Sequence, residues 1–259
     1  MSEQPNILLI FVDEHAPYFS SVYGNPAVPT PHLEGLAARG VTFDAAYCGS
    51  PLCVPSRMSF LTGQQVVNIG SWDNGVPLNS DVLTVAHGLR SSGYRTVLSG
   101  KMHFIGQDQM HGFDERLVEE WCEITISETG DWSNPNAARA GAERIRNAGP
   151  ERSKAIVYDE RVHQTSMDLL KGYAADQAGG DKRPFFLTAA YQAPHFPLKV
   201  PEPYFSRFYP DAVTMPNVPA GHMESQAPYL QSLRRYFGLE DLKADEVRRG
   251  RAAYFGLVN

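Results

Sequence analysis

The stretch Asn6-Ile7-Leu8-Leu9-Ile10-Phe11-Val12 is an apolar run of strand length, and it gives way at once to Asp13-Glu14-His15. A strand that is apolar without alternation is one covered on both faces, and such strands belong to parallel sheets sandwiched by helices. The polar cluster then lies where the strand emerges at its carboxyl end, the edge at which open α/β sheets bind ligands. Two further stretches repeat the pattern. Tyr94-Arg95-Thr96-Val97-Leu98-Ser99 leads into Gly100-Lys101-Met102-His103, and the run from Arg183 to Tyr191 leads into Gln192-Ala193-Pro194-His195-Phe196-Pro197. The expected fold is α/β, a mostly parallel sheet flanked by helices, with polar groups gathered at strand exits.

The intervening segments carry helix punctuation. Thr30 to Gly40 has a capping threonine, a proline in the first turn, a stripe of Leu33, Leu36 and Ala37 and a closing glycine, which predicts a helix with a packing role. Val41 to Ala46 reads as a strand. Cys53 to Gly63 reads as a short helix, with Pro55 in its first turn, Met58, Leu61 and Thr62 on one face and Gly63 as its stop. Asp81 to Ser92 is expected as a helix with Val82, Val85, Ala86 and Leu89 inward, and His87 as a face histidine without a chemical partner. Residues 117–159, with Trp121, Trp132 and Tyr158 among polar residues, read as a variable insertion, and Tyr158 to Gly172 as a further helix.

Charge narrows the partners. The chain has 259 residues, with 23 Lys+Arg against 29 Asp+Glu for a net charge of −6, which argues against nucleic acid or an anionic membrane. An anionic substrate would need locally collected positive charge. No apolar run approaches the roughly 18 residues of a membrane span and the amino terminus lacks a signal-peptide pattern, so a cytoplasmic protein is expected. Three cysteines, Cys48, Cys53 and Cys122, do not indicate a disulfide framework.

Some residues read chemically before any relationship is considered. Cys53 sits at the mouth of a helix, in its positive field, with Arg57 one turn further on, and both favour an anion. Taken alone it reads better as a buried structural thiol. Alternation puts Lys101 and His103 on one side of an extended segment. His195 stands between two prolines that suit presentation at a fixed angle. Asn74 lies in a turn cluster, Ser71-Trp72-Asp73-Asn74-Gly75-Val76-Pro77.

The segment Cys53-Val54-Pro55-Ser56-Arg57 resembles the signature of the type I sulfatases of the alkaline-phosphatase-like superfamily, and the resemblance runs from Pro5 to about Pro203. Gln64 departs from the arginine that often follows the motif there. The run from Gly93 to Arg116, GYRTVLSGKMHFIGQDQMHGFDER, is similar to the choline-sulfatase-like subgroup, with Met102 where the wider family has tryptophan. The resemblance implies that a formylglycine-generating enzyme converts Cys53 to formylglycine, whose hydrated form attacks the sulfur of a small sulfate ester. It implies Asp13 as a ligand of a divalent metal, usually calcium, with manganese or magnesium as alternatives. Glu14 and Cys53 as formylglycine are the other metal candidates. It further implies Arg57 as a stabiliser of the nucleophile, His103 as base with Lys101 as its electrostatic neighbour, His195 as acid for the leaving alcohol and Asn74 as a substrate-binding amide.

The family also brings a later Asp-His or Asp-Asn pair to the metal, and no such pair follows His195. Ala244 to Val258 reads as a helix whose apolar stripe, with Tyr254, Phe255 and Val258, lacks a cover. The expectation is that residues 1–259 are the amino-terminal portion of a larger catalytic domain, incomplete at the carboxyl terminus and prone to associate as a homo-oligomer. Two alternatives stay open: a phosphonate monoester or phosphodiester hydrolase on the same scaffold, and a catalytically incomplete fragment.

Overall fold

The computed structural model describes residues 4–122 and 140–259, and Trp132 of the expected insertion lies outside them. The chain divides into two compact units with interleaved segments. The first comprises Met1–Asp13, Phe43–Thr129 and Val157–Gln192; the second comprises Glu14–Thr42, Gly130–Ile156 and Ala193–Asn259.

The first unit holds a four-stranded sheet. Its strands are β1 (Ile7–Phe11), β2 (Arg95–Gly100), β3 (Glu115–Val118) and β5 (Phe185–Ala190), in the spatial order β1-β5-β2-β3. Every pairing is parallel, with Ile7 beside Phe186 and Thr96 also beside Phe186. All four carboxyl ends therefore point the same way. On one face lie α2 (Cys53–Thr62), α3 (Val66–Ile69) and α4 (Val85–Ser91), whose Val54, Met58, Leu61, Ile69 and Ala86 pack with Leu98, Phe186 and Ala190. The other face takes the long helix α6 (Lys154–Ala178), where Val162 meets Val118 and Tyr173 meets Val97 and Leu187. This is the expected parallel sheet flanked by helices.

Burial of β1 differs from expectation. Its exposure alternates, with Leu8 at 46%, Ile10 at 55% and Val12 at 40%, while Ile7, Leu9 and Phe11 pack against the core. The reason is position. β1 is an edge strand, and α6 covers β5, β2 and β3 on that face without reaching Leu8 and Ile10.

Other local expectations give way to tertiary context. Val41 to Ala46 forms no strand, and Val41 and Phe43 are exposed; their β-propensity does not substitute for a pairing partner. The helix expected from Asp81 starts at Val85, because Thr84 and His87 form a capping box in which the Thr84 amide donates to His87 Nδ1 at 3.1 Å. His87 thus has a partner. Lys101 and His103 do not share an extended segment either. His103 has a positive φ of 59°, and the chain curls after β2.

The second unit has its own core. Helix α9 (Ala244–Val258) buries Ala252, Ala253 and Phe255 against Val28, Leu198, Val200, Phe205 and Phe208. Its stripe is therefore core, which corrects the reading of an uncovered face. A short parallel pair, β4 (Gly149–Pro150) with β6 (Lys199–Val200), joins it, along with α5 (Ala140–Arg146) and α7 (Glu202–Phe205), and the unit also holds α8 (Pro228–Tyr236), which buries none of its residues. Helix α1 (Pro31–Ala37) buries none of its residues, so the packing role expected of Leu33 and Leu36 is not seen. Among the described residues no helix is long and apolar enough to cross a membrane.

Candidate functional site

In the first unit the exits of β1 and β2, on either side of β5, bring their polar residues together. Asp13 follows β1 and is buried, and its carboxylate receives the Lys101 ammonium, with Arg57 Nη2 at 3.4 Å. Lys101 is fully buried. The Arg57 guanidinium also donates to the Lys101 carbonyl at 2.6 Å and lies over the Phe11 ring, 4.9 Å from its centre. Two buried cations thus face one buried carboxylate, which leaves a local excess of positive charge in a chain of net charge −6. In a low-dielectric site that excess favours an anion.

Helix α2 adds its amino terminus to this field. Cys53 is its first residue, and Gly63, in the left-handed region at φ 65°, ends it as expected. The start of the helix is capped from a distance, since the Val54 amide donates to Asn74 Oδ1 at 3.0 Å. Asn74 therefore sits one residue from Cys53 in space, and the turn in which it lies serves to bring it there. A carboxylate oxygen of Asp13 and the Cys53 sulfur lie within 4.8 Å of each other. Cys48 is bonded locally, with its sulfur 3.0 Å from Ser56 Oγ.

His103 is buried, and burial followed by the Lys101 charge pushes its pKa down to about 4. The imidazole is neutral at physiological pH. Its Nδ1 has no hydrogen-bond partner among the described residues. The turn that carries it is held by a residue that sequence reasoning missed. The Glu120 carboxylate accepts the amides of Met102 at 3.1 Å, His103 at 2.5 Å and Trp121 at 2.9 Å, and pairs with Arg116 Nη2 at 2.9 Å. Burial opposes its ionisation, but Arg116 and these amides outweigh it and hold Glu120 below the usual carboxylate range. Nearby, burial raises the Cys122 thiol to about 11, so it stays protonated.

In the second unit Glu14 and His195 meet, with Glu14 Oε1 3.6 Å from His195 Nε2, while His195 Nδ1 lies 2.9 Å from the Phe196 carbonyl. Glu14 has a positive φ of 60°. Tyr254 of α9 fixes that turn: its hydroxyl donates to the Glu14 carbonyl at 2.7 Å and accepts the Ala16 amide at 3.0 Å. Nothing in the sequence pattern announces a pairing across some 240 residues.

Asp13 suits a hard divalent cation, and so would an oxygen in place of the soft Cys53 sulfur. Two such donors fall short of the roughly six to eight oxygens that calcium takes. The donor set of the first unit therefore fits such an ion only in part.

A family model described as Sulfatase matches residues 5–241. The choline-sulfatase of Rhizobium meliloti (strain 1021) is 32% identical over 273 residues, covering 99% of this chain and 51% of that protein. The arylsulfatase of Clostridium perfringens (strain 13 / Type A) is 26% identical, covering 98% and 56%. The chain thus spans about half the length of the curated relatives it matches. Among solved structures, the phosphonate monoester hydrolase of Agrobacterium radiobacter superposes with a TM-score of 0.68 at 21% identity, over 98% of this chain and 56% of that one.

Proposed function

Since the chain belongs to the sulfatase family, we propose that it carries the amino-terminal catalytic residues of a sulfuric ester hydrolase acting on a small sulfate ester. The observation that carries this reading is the buried Asp13, Lys101 and Arg57 cluster, with its excess positive charge, at the amino terminus of the helix that begins with Cys53.

Formylglycine at position 53, made by a formylglycine-generating enzyme, supplies a hydrated aldehyde whose hydroxyl is the nucleophile. A divalent metal, calcium in preference to manganese or magnesium, would be held by Asp13 and the oxygen at position 53 and would add positive charge at the ester oxygens. The chain's own residues do the rest. Arg57 stabilises the alkoxide of the attacking residue 53 hydroxyl, and Lys101 acts as the electrostatic neighbour of His103. Asn74 keeps its carbonyl oxygen on the start of α2 and turns its amide nitrogen to the substrate. As one residue 53 hydroxyl bonds to sulfur, the ester S–O bond breaks; His103, neutral and buried, then accepts the proton of the second hydroxyl, so that sulfate leaves and the aldehyde re-forms. His195, oriented by Glu14 and the Phe196 carbonyl, donates a proton to the departing alcohol oxygen, so Glu14 acts on the acid rather than as a metal ligand.

The test is hydrolysis by the chain co-expressed with a formylglycine-generating enzyme, with 4-nitrophenyl sulfate and a 4-nitrophenyl phosphonate monoester assayed side by side. Cys53→Ala is expected to abolish sulfate release. Full activity in that variant would refute the reading, and a higher kcat/KM for the phosphonate would move the chain to the phosphonate hydrolase alternative.

A further inference from the structure

Within the second unit one face of α9 lines a cavity of about 300 Å³. Val247, Arg251 and Tyr254 stand four and then three residues apart, so their side chains share that face. Phe196 and Leu198 add apolar wall, and Glu14 belongs to the same lining. The volume lies at the low end of the ~300–1,000 Å³ typical of small-molecule sites and suits a single ring or a compact branched chain.

Arg251 is the cation of this lining, and it is held without a counter-ion. Its Nε donates to the Thr214 carbonyl at 2.5 Å and its Nη2 to Thr214 Oγ1 at 3.3 Å, which ties down one edge of the guanidinium. The group also lies 5.2 Å from the Phe19 centroid and 5.3 Å from that of Phe255. Its other edge, formed by Nη1 and the second Nη2 hydrogen, has no hydrogen-bond or ion-pair partner among the described residues. Two parallel N–H groups of this kind match the two oxygens of a carboxylate. Burial lowers the Arg251 pKa, so the charge is partly withdrawn from water and would be stabilised by an anion.

The surroundings favour the same sign. Arg144, 5.5 Å from the Phe196 centroid, adds a second positive charge. Glu14 opposes it, but Glu14 faces His195 at 3.6 Å and its side chain is 46% exposed, so water screens the repulsion. An amine would meet Arg251 directly, and a neutral ring would leave the guanidinium edge unfilled. Inorganic sulfate or phosphate would leave the apolar walls uncovered, whereas an organic acid covers them and gains by leaving water.

We infer that this cavity binds a small organic carboxylate, its two oxygens on the free edge of Arg251 and its ring or branched chain against Val247, Leu198 and Phe196. The site belongs to the second unit alone and does not depend on the hydrolytic reading.

Benzoate serves as the probe. The full chain is titrated with benzoate, benzyl alcohol and benzylamine, and binding is followed by ligand-observed NMR. The expected result is saturable benzoate binding about tenfold tighter than that of benzyl alcohol, with no saturation by benzylamine. Arg251→Met should bring benzoate down to the level of benzyl alcohol. Val247→Phe, which fills the cavity from the same helix, should weaken both by about tenfold. Circular dichroism checks that the variants fold, and because Arg251 also packs on two rings, Arg251→Lys is added: it keeps the charge, loses the paired N–H groups and should weaken benzoate alone. Benzoate that fails to saturate, or that binds no more tightly than benzyl alcohol, would overturn the inference. So would undiminished benzoate affinity in a folded Val247→Phe chain, which would put the anion elsewhere, as at the Lys101 and Arg57 cluster.

Discussion

A buried histidine with a depressed pKa makes folding depend on pH. His103 takes up its proton near pH 6.5 in the unfolded chain and near 4 in the folded one, because burial and Lys101 oppose its charge. Between those values the unfolded state binds more protons, so stability is fully present above about pH 6.5 and falls as pH drops toward 4. The loss is on the order of 3 kcal/mol for this group. His15 and His111 are also lowered by burial and add to the same trend. Urea unfolding of the parent and of His103→Gln at pH 7.5 and 4.5 isolates the His103 share, and the variant is expected to show the shallower pH dependence. Equal slopes would mean that His103 is solvated in the native state. Glu120 offers a second test at this scale. Glu120→Ala leaves the Met102 and His103 amides and Arg116 without their acceptor, and a broken buried ion pair costs about 3–5 kcal/mol. The cost should appear in denaturant melts even before activity is measured. Glu120 escaped notice in the sequence because it acts on backbone amides, which leave no mark on residue type.

At the scale of elements, the strand exits and the Cys53 helix were legible because their signals are local. Continuous apolar runs, a proline in the first turn and a terminal glycine each follow from the backbone of the segment itself. The segment from Val41 to Ala46 was misread for the opposite reason, since a strand exists only where a neighbour accepts its hydrogen bonds. Gly100 carries both a local and a tertiary constraint. It ends β2 with φ 103°, and a Cβ there would strike the Ala190 carbonyl, so Gly100→Ala should disturb both strand exits at once. The cap that Asn74 makes on the Val54 amide and the substrate contact proposed for it can be separated by a pair of substitutions. Asn74→Ala removes the acceptor for the Val54 amide and should cost about 1 kcal/mol in a thermal melt. Asn74→Asp keeps that acceptor but replaces the amide nitrogen with an oxygen that repels sulfate. It should recover stability without recovering turnover, and recovery of both would reduce Asn74 to a cap.

The whole molecule carries a net charge of −6 yet concentrates cations around Asp13, so the general repulsion of anions is reversed at one place. Its apolar surface is distributed differently from what the sequence suggested. The Phe255 side of α9 is core, whereas Leu8, Ile10 and Val12 stand exposed along an edge strand. An edge strand with one bare apolar face is a template for pairing with another chain. The expected behaviour is therefore self-association through β1, read as a concentration-dependent sedimentation coefficient in the micromolar range. Ile10→Lys should reduce it while leaving the melting temperature nearly unchanged, because that side chain contributes little to the core. Phe255→Ala should do the reverse, costing about 3–5 kcal/mol of stability from a fully buried aromatic site. If Ile10→Lys leaves association intact, the contact between copies lies elsewhere, and the bare face of β1 is simply tolerated in water.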